Sequence, residues 1–341
     1  MPQAADILAD PNWLAHRYDE ANDGFRFVRL DRDGHGAATF ITDEYLSDTD
    51  QFQFVDRSAA EEAQIGAGPR HFVFHSAYCC STMVARAFEI AGLSHGLKEP
   101  QVLNDILGWR RRGASDADIR TVLKLSTDLM ARPFGAGEAT IVKPSNIVSP
   151  LAENLLELNP DAKALFLHAP IDGYLRSIAK KGLWGRRWVR EVLLGTINDG
   201  YLIGGFVGQE LLELTDLQVA ALGWLSQHSL FNRLMDQFGA ERIRTLNSED
   251  LLSDPEAAMR KLFNLFGIAL IPDALRQIID GPAFNTHSKD AAMEFDAGAR
   301  AIEQAKLAES YGEEIDMVAN WAAAVAQSQG FDLRLRSNLL G

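Results

Sequence analysis

Apolar residues recur along this chain in two rhythms, and the segments that carry them alternate. Short apolar runs of strand length stand at Arg70-His-Phe-Val-Phe-His75, Thr140-Ile-Val-Lys143, Lys163-Ala-Leu-Phe-Leu-His168 and Arg242-Ile-Arg-Thr-Leu246. Between them lie stretches with helical spacing, such as Ile119, Val122, Leu123 and Met130 after Ser115-Asp-Ala-Asp118, which resembles a capping box. Ser149 before Pro150 marks another helix start. Beyond Pro255, Met259, Leu262, Phe263 and Phe266 form one stripe, with Ser253 or Asp254 as the cap and Gly267 as the stop. The series Ile315, Val318, Ala322 and Val325 reads as ordinary helix packing. Apolar strands separated by helices predict an α/β fold with a parallel sheet covered on both faces.

Residues 1–66 read as an accessory segment. Phe25-Arg-Phe-Val-Arg-Leu30 and Ala37-Ala-Thr-Phe-Ile-Thr42 flank the turn-rich Asp31-Arg-Asp-Gly-His-Gly36, a pattern that predicts a β-hairpin. Arg57 to Pro69, rich in Ala, Glu and Gly, reads as a linker, so the main domain is expected over residues 67–341. At 341 residues, one large domain or two ordinary ones can bury a full core.

Composition narrows the partners. A net charge of −14 argues against a nucleic-acid or anionic-membrane surface, although basic residues cluster locally. No run of 18 apolar residues occurs and no charged-then-apolar signal begins the chain, so a cytoplasmic location is expected. The two cysteines are adjacent and cannot staple distant segments, which fits a reducing compartment. The eight histidines are scattered, and no metal site is expected.

The candidate chemistry begins where the strand 70–75 gives way, through an eight-residue turn, to an amphipathic helix ending at Gly92. A strand–turn–helix of this kind aims several backbone N–H groups at one point that suits a phosphate or sulfate. Ser81 and Thr82 stand where their hydroxyls add donors to the same anion. The turn has the length of a Walker A loop, but His75, Cys80 and Ser81 occupy the positions of its two glycines and its lysine. The anion site survives that comparison and the ATP–magnesium machinery does not.

Tyr78-Cys79-Cys80-Ser81-Thr82 resembles the donor loop of the PAPS-dependent sulfotransferases, which typically runs Lys/Arg-Ser-Gly-Thr/Ser-Thr. Ser248-Glu-Asp-Leu-Leu-Ser-Asp-Pro255, with the following helix to Ile268, is similar to that family's Tyr-Glu-Asp-Leu-x-x-Asp-Pro segment. The resemblance covers roughly residues 70–290. It implies a P-loop-type parallel sheet flanked by helices, with the N-terminal hairpin and helical additions as extras. The implied reaction moves a sulfuryl group from PAPS, without metal, to a hydroxyl or amine of a small molecule, saccharide or peptide.

The resemblance also implies roles for individual residues. The loop Tyr78, Cys79, Cys80, Ser81, Thr82 and Met83 would cradle the 5′-phosphosulfate. Glu99, in Lys98-Glu99-Pro100, matches a glutamate base, and Lys143, in Ile141-Val-Lys-Pro-Ser145, matches a lysine beside it. Where the family reads Arg-Asn-Pro, this chain has His168-Ala169-Pro170, so His168 stands in for a cation if protonated; its other reading is a strand-end histidine bonded to backbone. Arg176 or Ser177 would reach the 3′-phosphate, and Lys289, after Gly281-Pro282, lies where that phosphate is also contacted. Arg176, Lys180, Lys181, Arg186, Arg187 and Arg190, interleaved by Trp184 and Trp188, read either as a basic flap over a nucleotide or as a solvated helix face. A nucleotide-dependent kinase on the same fold and a non-catalytic binding protein are the competing classes. Neither acceptor nor oligomeric state is legible.

Overall fold

In a computed structural model, the structure describes residues 2–46, 49, 51–285 and 297–341. Among the described residues, eight strands build two sheets. β1 (Trp13–Asp19), β2 (Gly24–Arg29) and β3 (Gln53–Asp56) form an antiparallel sheet in that order. β4 (Arg70–His75), β5 (Ser94–Lys98), β6 (Ala139–Lys143), β7 (Ala164–His168) and β8 (Ile243–Asn247) form a five-stranded parallel sheet in the order β5-β6-β4-β7-β8. β5, β6 and β7 are buried along their whole length; this is why β6 and β7 read as apolar runs rather than alternating ones, whereas β5, Ser94-His-Gly-Leu-Lys98, buries polar side chains. Helices flank the sheet.

The strand order has one consequence for function. The chain passes from β4 to β5 and β6 on one side and then to β7 and β8 on the other. β4 is therefore the topological switch point, and the loop leaving its carboxyl end opens where ligands of open parallel sheets bind.

The chain divides into two compact units. The first comprises residues 1–74, 81–164 and 259–293. Here Phe72 and Phe74 stack at 5.7 Å, Phe88 stacks on Phe263 at 4.7 Å, and His71 lies flat on Phe266 at 4.9 Å. The N-terminal sheet is tied into this unit: Arg17 grips Asp105 with two bonds of 2.8 and 2.9 Å, and the buried Arg132 donates to the carbonyls of Ile7, Leu8, Asp10 and Trp13. The second unit comprises residues 75–80, 165–258 and 294–341. It centres on the long helix Asp216–Phe238, opened by a Thr215–Gln218 capping box.

The hairpin expected around Asp31–Gly36 is not there. Arg32–Ala37 is a short helix whose N-cap, Asp31, accepts from the Gly34 N–H at 2.8 Å. β2 pairs instead with β1, and the segment after the helix runs irregularly, with Ile41 donating to the Lys98 carbonyl. Arg57–Glu62, expected as linker, is also helical. Ser115 caps Asp116–Met130 as expected, and Asp254 rather than Ser253 caps Pro255–Leu265.

Candidate active site

The loop after β4 is held in an uncommon backbone shape. Ala77, Tyr78 and Cys80 have φ of 69°, 53° and 64°, in the left-handed region that residues with a Cβ avoid at a cost of about 1–3 kcal/mol each. Ser76 anchors it: its N–H donates to the Leu167 carbonyl at 3.1 Å, and its hydroxyl accepts from the Ala169 N–H at 3.1 Å while donating to the Ala77 carbonyl. The Cys79 thiol donates to Leu167, and the Ala77 N–H donates to His75 Nδ1. A right-handed residue followed by a left-handed one turns successive backbone amides toward a common concavity, an anion nest, and the Cys79–Cys80 step, where φ turns positive at Cys80, is the candidate for one here. Neither cysteine is in a disulfide.

Within the first unit, the loop's exit is the helix Ser81–Ala87, which buries Ser81, Thr82 and Met83. It rides directly on β5, because a Cβ at Gly96 would lie 2.3 Å from the Ala85 carbonyl oxygen. At the carboxyl ends of the paired strands, Lys98 and Lys143 are register partners, both fully buried. Lys98 Nζ donates to the carbonyls of His35 at 2.7 Å and Gly36 at 3.2 Å and pairs with Glu89 at 3.1 Å. Burial pushes the lysine down and the glutamate up, against the pull of their mutual attraction. Lys143 pairs with Glu99 and lies 5.4 Å from the Phe40 ring centroid. Glu99 itself has φ 57° and donates its N–H to the Lys143 carbonyl. Strand alternation would send residue 99 to the face opposite Lys98; the left-handed turn breaks that alternation. The two residues matched to a base and its lysine thus meet as an ion pair.

In the second unit, Tyr78 sets its ring against Tyr174 at 6.1 Å and Trp188 at 5.6 Å, and burial raises its hydroxyl to about 12, so it stays a neutral donor. His168 stacks over Phe166, and burial lowers its imidazole to about 4. In the anion-free protein it is therefore neutral at pH 7 and offers a hydrogen bond rather than a positive charge.

The basic cluster lies on two helices, Ile171–Lys180 and Gly182–Asn198, jointed at Gly182 with φ 56°. Arg176 pairs with Asp172 at 2.8 Å, and the Ser177 hydroxyl is committed to the Gly173 carbonyl of its own helix. Arg186 and Arg190 share Asp216, at 3.4 and 2.7 Å, while Arg187 pairs with Glu191 at 2.9 Å in solvent. Lys289 lies outside the described residues.

Sequence reasoning missed His228. It sits on Asp216–Phe238, its Nδ1 bonded to the Trp224 carbonyl at 2.9 Å and its ring 5.1 Å from His168. His228 Nε2 and His168 Nδ1 are buried without a hydrogen-bond partner. Trp224 stacks on His228 and donates Nε1–H to the Ala169 carbonyl. The signal was the i, i+4, i+7 spacing of Trp224, His228 and Phe231, which puts them on one helical face. The Glu249–Asp254 segment is scaffold: Asn247 caps its helix and Leu251 is buried. Among the described residues no group of three His, Cys, Asp or Glu side chains could hold a metal ion, and no helix is long and apolar enough to cross a membrane.

No protein-family model matches the chain, and no curated protein matches it. Among solved structures, the chain is similar to the sulfotransferase domain from the curacin biosynthetic pathway, at 14% identity and a TM-score of 0.44, over 79% of this chain and 100% of that one. A sulfotransferase from Mycobacterium avium gives 12% identity and 0.43 over 82% and 80% of the two chains. One from Alicyclobacillus acidocaldarius gives 17% and 0.40 over 78% and 97%.

Proposed function

We propose that the chain is a sulfotransferase-like enzyme that moves a sulfuryl group from PAPS to a hydroxyl or amine of a small molecule, saccharide or peptide. The observation that carries this reading is the loop after β4, where three residues with side chains hold left-handed conformations at the switch point of a parallel sheet. Strain of this kind persists where the surrounding structure enforces a functional shape. An anion nest without a Walker lysine suits a donor that needs no magnesium.

In this reading the loop amides, with Ser81 and Thr82, hold the phosphosulfate. Glu99 takes the proton from the acceptor O–H; the acceptor oxygen forms its bond to sulfur as the bond from sulfur to the 5′-phosphate oxygen breaks. The electron pair of that bond leaves with adenosine 3′,5′-bisphosphate, and Lys143 and the loop amides meet the growing negative charge. Positioning and preorganised charge supply most of the acceleration, as in phosphoryl transfer. With His168 neutral, the cation at the donor comes from Lys143 or the arginines of residues 176–190.

Calorimetric titration with PAPS, its desulfated product, ATP and GTP, with and without magnesium, tests the assignment. PAPS is expected to bind more tightly than ATP in magnesium-free buffer. A folded protein that ignores PAPS and its product but binds ATP with magnesium is a kinase-type protein instead, and one that binds none of them is a non-catalytic scaffold.

A further inference from the structure

The helix Gly182–Asn198 buries Gly185, Val189, Val192, Leu193 and Thr196 on its inner face. Its outer face mixes large exposed apolar side chains with charged ones: Leu183 is 83% exposed, Trp184 59% and Leu194 58%, with Ile197 exposed too, among Arg187, Arg190 and Glu191. Leu183, Arg187, Arg190, Leu194 and Ile197 recur at i, i+4, i+7, i+11 and i+14, so they form a single stripe along that face. A solvated helix has no use for such a stripe. The charge here also departs from that of the chain. Residues 180–198 carry Lys180, Lys181, Arg186, Arg187 and Arg190 against Glu191 alone, a net of +4 in a chain of −14.

We propose that this helix is a peripheral docking surface for an anionic lipid bilayer, lying in the headgroup plane. Leu183, Trp184, Leu194 and Ile197 enter the acyl boundary, while Lys180, Lys181 and Arg187 meet lipid phosphates and Arg190 stays paired with Asp216. The placement of the arginines decides for lipid over a second copy of the chain. Arg187 and Arg190 fall between Leu183 and Leu194, so a protein partner flat enough to cover both leucines would desolvate the Arg187–Glu191 and Arg190–Asp216 ion pairs. At a headgroup layer the same side chains extend along the apolar stripe and keep their charge among phosphates and water. The Arg187–Glu191 pair does not oppose this, since an exposed i, i+4 pair contributes only a few tenths of a kcal/mol and yields to phosphate. The acidic residues that set the whole-chain charge act weakly here, because charges more than a Debye length away, about 10 Å at 0.1 M salt, are screened from the patch. The proposal goes beyond the sulfuryl-transfer reading and stands without it, because docking is measured with no nucleotide present.

The test is co-sedimentation of the purified full chain with phosphatidylcholine vesicles, with and without phosphatidylserine. The chain is expected on the anionic vesicles only. Raising salt from about 0.1 to about 0.5 M should weaken partitioning tenfold or more, as charge screening requires. Lys180→Gln and Lys181→Gln should each weaken it about fivefold, and Leu183→Glu/Leu194→Glu should abolish it. Should that double variant fail to fold, brominated lipids provide the second measurement: they should quench the wild-type tryptophan fluorescence and fail to do so in Trp184→Phe. Absence from all vesicles overturns the proposal, as does equal binding to neutral and anionic ones. So does a dimer in light scattering that Leu183→Glu/Leu194→Glu dissociates, which would assign the stripe to a second copy.

Discussion

Mild acid should unfold this protein, and the size of the effect follows from its histidines. Burial lowers His71, His95 and His168 to about 4 from an ordinary 6.5, and holds His35 and His228 well below that ordinary value. Each is a base whose charged form is disfavoured in the folded state, so the unfolded chain binds more protons throughout the interval between about 4 and 6.5. Stability from these groups is complete above 6.5 and is lost as pH falls through that window. At pH 5 the loss per histidine at a folded value of about 4 is roughly 2 kcal/mol, so the three with that value lose roughly 6 kcal/mol together. That rivals the 5–15 kcal/mol that ordinarily separates folded from unfolded chains. Glu89 and Asp105, whose carboxyls burial pushes up, act in the opposite sense but are only two. Urea unfolding at a series of pH values between 7.5 and 5 measures the slope of stability against pH. Near pH 5.3 that slope should correspond to uptake of about four to five protons on unfolding. His228→Gln should reduce the uptake by about one proton whatever it does to stability at pH 7. A stability that stays flat from pH 7 to 5, or an uptake below one proton, refutes the reasoning.

Three further outcomes follow from the site. Thr82→Ala should weaken PAPS binding by roughly 1–3 kcal/mol in calorimetry, the scale of a charge-assisted hydrogen bond; unchanged affinity removes the loop from the donor site. Glu99→Gln should leave donor affinity nearly intact while turnover falls on the order of 10²–10⁴-fold, and normal turnover would move the base elsewhere. Lys98→Met should cost about 3–5 kcal/mol in urea unfolding, because it strands the Glu89 carboxylate and two carbonyls, whereas Lys98→Met/Glu89→Leu should recover most of that loss.

Four strands of the parallel sheet were legible as short runs between stretches of helical spacing, a pattern that depends on burial from both faces rather than on any one neighbour; β5, Ser94-His-Gly-Leu-Lys98, was not, because it buries polar side chains. The N-terminal segment was misread for a local reason. Asp31-Arg-Asp-Gly looks like a turn, yet Asp31 with the Gly34 amide is equally a helix cap, and only pairing with β1 decides between them. The Glu99–Lys143 meeting depends on a register that joins residues 44 apart, and no local pattern encodes it. The charge state of His168 was invisible for the same reason. Phe166 adjoins it in sequence, but Trp224, His228 and Phe231, which complete its apolar surroundings, come from a helix about sixty residues on. Arginines 176–190 stood out as a cluster, while their carboxylate partners, at 172, 191 and 216, scatter on both sides of it.

The left-handed loop has a mechanical side. A glycine loop rests in such a shape, whereas Ala77, Tyr78 and Cys80 would each relax toward negative φ if released, by about 1–2 kcal/mol per residue. The loop behaves as a loaded spring, and the catch is Ser76, whose hydroxyl joins the Ala169 amide to the Ala77 carbonyl. Damage near the catch therefore has a threshold character. Small losses leave the loop intact, and one loss too many lets several residues turn over together, so the proposed anion site would disappear as a unit while β4 and the helix behind it remain folded.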